Sequence, residues 1–238
     1  MKINVLQHIG DNSTSLEKVV VVIDQYRASS TIVTALANGV QKIIPCLSLE
    51  EALAKKALSE YKNFLVLGEQ NARKSEKASL GNSPLPFTVK NHGIKEILMA
   101  TTNGTKALKR AQHAQKIMLC SFLNLSAIAE KLIKCDSDFT ILCSGSKGKF
   151  CLEDVICASL LIQRIQKKES CFFIDDFTRL VAALNEDQQS LLCESKSYKK
   201  LKSLGFNSDL DFCDQQDLYE SVPVYLKTGF IKECKNDR

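Results

Sequence analysis

The chain has 238 residues, 45% of them hydrophobic and 25% charged, which is typical of a globular protein with a substantial core. No apolar run approaches the roughly 20 residues of a membrane helix, and the N-terminus lacks the order of regions found in a signal peptide. The 32 basic residues, against 27 acidic ones, are scattered without a basic arm, which disfavours nucleic-acid binding. We therefore expect a soluble cytoplasmic protein with neither a nucleic-acid nor a membrane partner.

Short apolar runs alternate with stretches of helical spacing over the first two thirds of the chain. The runs typical of buried strands are 18–23, 40–46, 63–69, 96–104, 116–124 and 138–146. The stretches with helical spacing are 29–39, 48–61, 105–112, 125–135 and 152–168. Gly39 is placed to end the first helix, and Ser48 with Glu51 forms a capping-box signature before the second. The alternation predicts an α/β fold with a largely parallel sheet.

The pattern changes beyond about residue 170. Residues 175–205 are mostly helical in spacing, and 221–233 resembles a terminal strand pair with a turn at Thr228-Gly229. There is no linker, low-complexity tract or internal repeat. We predict a single domain over residues 1–238, in which the helical part, 170–238, packs on the same core.

The ten cysteines are interpreted as reduced thiols. No pair has CxxC spacing and the chain has three histidines, so a zinc site is unsupported. Several cysteines, such as Cys143 and Cys157, lie inside apolar stretches, where a free thiol behaves as a small hydrophobic group.

Polar residues are concentrated where the predicted strands end. The segments are Asp24–Thr31, Gly68-Glu69, Ala100–Thr105 and Cys143–Lys149, together with the turn Leu80–Pro84. Each taken alone is most simply a turn. Ligands of open α/β sheets, however, bind outside the carboxyl ends of the strands, so the set as a whole is a candidate site.

Two kinds of chemistry are offered by these segments. Arg27 could bind a phosphate or sulfonate through its fork of donors, and backbone N–H groups of the turns at 101–105 and 144–146 favour anions. The alternative for both turns is a structural role alone.

Four carboxylates could hold a hard divalent cation such as Mg²⁺, which prefers oxygen ligands. They are Asp24, Glu69, Glu153 and Asp154. Each also has a simpler explanation, because Asp24 suits a helix N-cap and Glu69 suits a solvated loop. Glu153 and Asp154 stand in a first helical turn, where acids favour the helix dipole.

Several catalytic motifs are set aside. "DSDFT" at 136–140 matches the DxDx[TV] pattern of haloacid-dehalogenase-type phosphatases, but it precedes its strand instead of ending one. "GSKGKF" lacks the spacing of a P-loop, and no GxSxG elbow or C-x₅-R loop is present. The three histidines are not near the polar segments in sequence, so a Ser-His-Asp hydrolase is disfavoured.

The blocks "VVIDQYRASSTIVTALANG", "GEQNARK", "LGNSP", "TTNGTKAL" and "CSGSKGKFCLEDVICA" occur in this order. Together they resemble the 2-phosphosulfolactate phosphatase family, from about residue 3 to 227. The resemblance implies a three-layer α/β/α fold and a Mg²⁺-dependent phosphomonoesterase. The reaction implied is hydrolysis of (2R)-2-phospho-3-sulfolactate to (2R)-3-sulfolactate and phosphate, which in some organisms belongs to coenzyme M biosynthesis. It also suggests a homodimer, although the residues themselves leave the oligomeric state open.

The family's motifs map onto individual positions of this chain. The resemblance implies catalytic roles for Asp24, Arg27, Glu69 and Asp154, with Asp24, Glu69, Glu153 and Asp154 as candidate Mg²⁺ ligands. It implies contacts with a small anionic, phosphorylated and sulfonated substrate for Ser29, Asn82, Ser83, Thr102, Asn103, Gly104, Thr105, Ser144 and Gly145. Which carboxylate binds metal and which acts as base or nucleophile stays open.

The chain departs from the family pattern at Gln25-Tyr26, where smaller or aliphatic residues are more often expected, and at Gln70, where Arg is common. The second departure bears on substrate identity more than on reaction type. Two alternatives are therefore kept: a phosphatase for another small phosphorylated hydroxy acid, and a non-catalytic anion-binding protein on the same scaffold.

Overall fold

The computed structural model describes residues 1–90, 93–169, 173–184 and 188–233. Its strands are β1 Lys2–Leu6, β2 Val19–Ile23, β3 Lys42–Cys46, β4 Leu65–Leu67, β5 Glu69–Gln70, β6 Arg73–Lys74, β7 Glu96–Ala100, β8 Lys116–Cys120, β9 Phe139–Cys143, β10 Phe173–Ile174, β11 Pro223–Leu226 and β12 Gly229–Lys232. Its helices are α1 Ser30–Ala37, α2 Leu49–Lys56, α3 Thr102–Arg110, α4 Leu125–Cys135, α5 Leu152–Gln166, α6 Asp176–Ala182, α7 Gln188–Glu194, α8 Lys196–Ser203 and α9 Asn207–Cys213. Part of the predicted helical stretch, 185–187, and the thiols of Cys171 and Cys234 lie outside the described residues.

Ten strands form one sheet in the order β10-β1-β9-β2-β8-β11-β12-β3-β7-β4. Along β2, Val21 packs into a core shared with α4 and α5, while Val22 packs into a core shared with α1 and α3. Helices therefore cover both faces, because successive strand side chains point to opposite sides. The three-layer α/β/α fold with a largely parallel, mixed sheet is confirmed.

The sheet consists of two parallel blocks joined by an antiparallel hairpin. One block holds β10, β1, β9, β2 and β8, and the other holds β3, β7 and β4. Strand β11 pairs antiparallel with β8 through Val224 and Met118, and β12 pairs antiparallel with β3 through Phe230 and Ile43. Each of these two pairings rests on a single residue pair, so the hairpin is the narrow connection between the two blocks.

Strand β1 was missed by the sequence analysis. Its residues Ile3, Val5 and Leu6 are buried, and it pairs in parallel with β9 and β10 inside the first block. The apolar pattern could have revealed it, but the segment stands at the N-terminus, where no preceding helix marks an alternation.

Several predicted strands extended too far along the chain. The predicted strand 96–104 ends at Ala100, because residues from Thr102 onward already belong to α3. The final turn is also shifted: Leu226 pairs with Gly229, so Lys227-Thr228 form the turn and Gly229 begins β12.

Two predicted helix boundaries are confirmed by backbone geometry. The Ser48 hydroxyl accepts from Glu51 N–H at 3.2 Å, although the Glu51 carboxylate accepts from Leu47 N–H instead of closing the box on Ser48. Gly39 follows α1 with φ of 116°, in the region that favours glycine. None of the helices in the described ranges is long and apolar enough to cross a lipid bilayer.

The hairpin that joins the blocks depends on Gly229. Its φ is 135°, and a Cβ there would lie 2.7 Å from the carbonyl oxygen of Ile43. We expect Gly229→Ala to lower the free energy of unfolding by about 3 kcal/mol, because strain and a steric clash add. Urea denaturation measures the change.

Gly205→Ala is the matched control. Its φ is 86°, but a Cβ there meets nothing within 4 Å, so strain acts alone and the loss should be about 1 kcal/mol. Equal losses in the two variants would contradict the importance of the close approach between β12 and β3.

Candidate active site

A cavity of about 900 Å³ lies where the carboxyl ends of the two blocks meet. Asp24 and Gly145 follow β2 and β9 of the first block, and Glu69 and Asn103 follow β4 and β7 of the second. Strand ends from both blocks therefore reach one space. The sequence analysis foresaw the convergence of these segments, but not that it occurs across the hairpin.

Four of the carboxylates that line the cavity form what we call the acidic wall: Asp24, Glu69, Glu153 and Asp154. Asp24 is the member influenced by the charges of both Glu69 and Glu153. Its carboxylate is partly buried, and this burial, together with the charges of Glu69 and Glu153, raises its pKa to about 7. The N–H groups of Ala28 and Gly104 lie against the carboxylate and act in the opposite direction. The carboxylate is thus held between two backbone donors while it faces like charges.

Glu153 and Asp154 stand in the first turn of α5 and are both buried. Asp154 accepts from Gln25 N–H at 2.9 Å through Oδ1 and from Gly145 N–H at 3.0 Å through Oδ2. Burial and the charges of Glu153 and Asp24 nevertheless hold the pKa of Asp154 well above its usual value. The amides and the helix N-terminus therefore fix the carboxylate without removing the repulsion.

Arg27 also lines the cavity, but its guanidinium is engaged by the protein. It donates from Nη1 to Asp209 at 2.5 Å, and from Nη2 to Glu69 at 2.9 Å and to the Ala72 carbonyl at 2.7 Å. The guanidinium carbon lies 4.4 Å from the centre of the Phe206 ring. Arg27 thereby ties α9 and the 69–72 segment to the start of α1.

Six of the sequence-predicted substrate contacts do not line the cavity. They are Ser29, Asn82, Ser83, Gly104, Thr105 and Ser144. Several support the wall from behind: Ser29 Oγ accepts from Asp24 N–H at 2.8 Å, and Ser83 Oγ donates to Asp209 at 2.9 Å. Thr105 donates to the carbonyls of Cys46 and Thr101.

The remaining members of that group are placed as follows. Gly104 meets Asp24 through its backbone, and Asn82 and Ser144 are buried with side-chain oxygens that have no hydrogen-bond partner among the described residues. Thr102 begins α3, but its side chain lies outside the described part of the structure. Asn103 and Gly145 are the predicted substrate contacts that the structure does bring to the cavity.

Gly145 must be glycine for the turn to fit. Its φ is 62°, and a Cβ there would lie 2.6 Å from the Cβ of His8 and would also meet the Lys149 carbonyl. His8 itself lines the cavity, at the carboxyl end of β1, although it is distant in sequence from every other polar segment. Sequence proximity was therefore a poor guide for this histidine.

Other cavity residues were not among the predicted site residues. Four of them belong to polar segments that the sequence analysis named: Tyr26, Ser146, Lys147 and Lys149. Others lie outside those segments: Gln7, Phe150, Cys151 and residues of α7 and α8, among them Lys196 and Lys200. For this second group, the spacing of the two α8 lysines, four apart in a helix, was the one usable signal. The motif at 136–140, set aside above, lies away from the cavity, with Asp136 at the C-cap of α4.

Comparisons with known proteins identify the family of the chain. A family model described as 2-phosphosulpholactate phosphatase matches residues 7–228. A probable 2-phosphosulfolactate phosphatase of Pseudothermotoga lettingae is 41% identical over 226 residues, covering 92% of this chain and 95% of that protein.

Two further relatives carry the same name. The Clostridium botulinum protein (strain Alaska E43) is 35% identical over 238 residues, covering 98% of this chain and 100% of its own. The Thermotoga maritima protein is 37% identical over 214 residues, covering 90% and 92%. Both the family model and the relatives span nearly the whole chain, so the chain belongs to the 2-phosphosulfolactate phosphatase family of phosphoric monoester hydrolases.

Proposed function

We propose that this enzyme is a Mg²⁺-dependent phosphomonoesterase that hydrolyses (2R)-2-phospho-3-sulfolactate to (2R)-3-sulfolactate and phosphate. One observation carries the proposal: in a chain of this family, acidic side chains from three segments face a single cavity at the strand ends. The names of the relatives support the substrate. The cytoplasmic location and the homodimer stay predictions from the sequence.

The donors at the cavity fit Mg²⁺. Glu153 and Asp154 supply buried carboxylate oxygens on adjacent positions of α5, and the repulsion that raises the pKa of Asp154 favours a cation beside it. Within the described residues, no three His, Cys, Asp or Glu side chains are grouped to hold a metal by themselves. Mg²⁺ commonly takes one or two carboxylates and retains several waters.

We assign Mg²⁺ binding to Glu153 and Asp154. When bound, Mg²⁺ would offset the negative charge on the phosphoryl oxygens. Glu69 was a candidate ligand too, but its carboxylate accepts from Arg27, so we assign it to fixing the 69–72 segment. Arg27 is in the same way proposed as a positioning residue, because its partners Asp209 and Glu69 already balance its charge.

Asp24 is proposed as the general base. Its carboxylate faces the cavity and is oriented by the Ala28 and Gly104 N–H groups, as a positioned proton acceptor requires. It would accept a proton from water while the water oxygen attacks phosphorus. The bond between phosphorus and the C2 oxygen breaks, and that oxygen leaves with the electron pair and takes up a proton. Asn103, which lines the cavity, is proposed to donate to the phosphate.

Turnover of synthetic 2-phospho-3-sulfolactate tests the proposal. We expect phosphate release with Mg²⁺, its abolition by EDTA, and a roughly 10²–10⁴-fold lower kcat in Asp24→Asn, because the base is lost. A colorimetric phosphate assay measures all three. Asp136→Asn is the control: Asp136 has left-handed backbone geometry that Asn tolerates, and it should retain full activity. Undiminished turnover in EDTA or in Asp24→Asn would contradict the mechanism.

Thermal unfolding tests the metal ligands without any substrate. In EDTA, Glu153→Gln should raise Tm by roughly 2–4 °C, since removing one buried like charge recovers about 1 kcal/mol. Added Mg²⁺ should stabilise the wild type and leave Glu153→Gln nearly unchanged.

Glu50→Gln is the matched control for that measurement. Leu49-Glu50-Glu51 opens α2 as Leu152-Glu153-Asp154 opens α5, but Glu50 is exposed and does not line the cavity. Glu50→Gln should therefore show the wild-type response to Mg²⁺. The same Mg²⁺ stabilisation in both variants would exclude Glu153 as a ligand.

A further inference from the structure

Four lysines line the cavity together with the carboxylates. Lys147 and Lys149 come from the turn after β9, and Lys196 and Lys200 come from α8. We call these four residues the basic rim. All four are exposed, and within the described residues none of them forms an ion pair. Their charges are therefore available to a ligand.

The turn that carries Lys147 and Lys149 has a defined shape. Ser146 N–H donates to the Lys149 carbonyl at 2.8 Å, and Lys149 N–H donates back to the Ser146 carbonyl at 3.0 Å. The two residues between them have positive φ, 52° at Lys147 and 73° at Gly148, as in a type I′ hairpin turn. Lysine seldom adopts a positive φ, yet in this turn Lys147 does so beside the cavity.

Helix α8 divides its lysines between two faces. Lys196 and Lys200 are four residues apart, so they share the face that lines the cavity. Lys199 instead pairs with Glu194 at 2.5 Å, and Lys202 lies 5.9 Å from the centre of the Tyr198 ring. The same helix thus offers two lysines to the cavity and two that are already engaged.

Among the described residues that line the cavity, Arg27 is the one arginine or lysine besides the rim lysines. Arg27, the cationic side chain expected from the sequence, is balanced by Asp209 and Glu69, and the acidic wall would repel a carboxylate or a sulfonate. Exposed ammonium groups are compact charges that can meet such a group without the cost of a buried ion. The positive charges of the basic rim therefore complement the negative charges of the acidic wall.

We propose that the basic rim binds the sulfonate, one of the two anionic groups that the substrate carries besides its phosphate, and that it thereby selects phosphate esters bearing a sulfonate. This rests on the proposed function, because it assigns the phosphate to the acidic wall and its metal. It makes the rim lysines determinants of specificity that act on substrate binding.

The test compares two esters that differ in the sulfonate alone, 2-phospho-3-sulfolactate and 2-phospholactate. In Lys196→Gln/Lys200→Gln and in Lys147→Gln/Lys149→Gln, the ratio of their kcat/KM values should fall roughly tenfold, as expected for the loss of two exposed charge contacts. The loss should come from KM, with kcat nearly unchanged. Lys199→Gln/Lys202→Gln, with the same change in net charge on the same helix, should keep the wild-type ratio.

Calorimetry with 3-sulfolactate measures the same contact without turnover. Wild type and Lys199→Gln/Lys202→Gln should bind it equally, and both rim variants should bind it roughly tenfold more weakly. If the wild type hydrolyses neither ester while sulfolactate binding still depends on the rim, the proposed reaction fails and the rim assignment stands. Equal sulfolactate binding in rim and control variants, or none in the wild type, would overturn the rim assignment.

Discussion

The site depends on holding several carboxylates, which repel one another, around one partly closed cavity. Burial and mutual repulsion raise the pKa of Asp24 and Asp154, so the fold must compensate for keeping them together. Backbone N–H groups of Gln25 and Gly145 supply part of the compensation, and the N-terminus of α5 supplies more. The negative charge that these groups leave uncompensated would attract a cation. This attraction links the fold to the proposed chemistry.

The second constraint is bringing together strand ends from two separate blocks of the sheet. The β11–β12 hairpin joins the blocks. Arg27, which follows β2 of the first block, donates to Glu69, which follows β4 of the second, and also to Asp209 of α9. Removing one partner of a buried ion pair leaves an uncompensated buried charge, so these side chains depend on one another. The catalytic role proposed for Asp24, which faces the cavity, is therefore separate from the supporting role of Arg27.

Local patterns predicted most of this architecture, because apolar runs and capping residues act over short distances. The acid pair Glu153-Asp154 at a helix start was found in this way. Long-range pairings were not predictable: the Asp209 partner of Arg27 is 182 positions away, and His8 reaches the cavity through β1. Nor could the sequence show that Ser83 serves Asp209 and not the cavity, since a polar strand end looks the same in either role.

The most direct measurement is anomalous diffraction from crystals soaked with Mn²⁺, as a substitute for Mg²⁺, and 3-sulfolactate. The account predicts a metal peak about 2 Å from carboxylate oxygens of Glu153 or Asp154, with Asp24 facing the same space and the sulfonate directed toward α8. A metal peak away from α5, or sulfolactate bound outside the cavity, would contradict it.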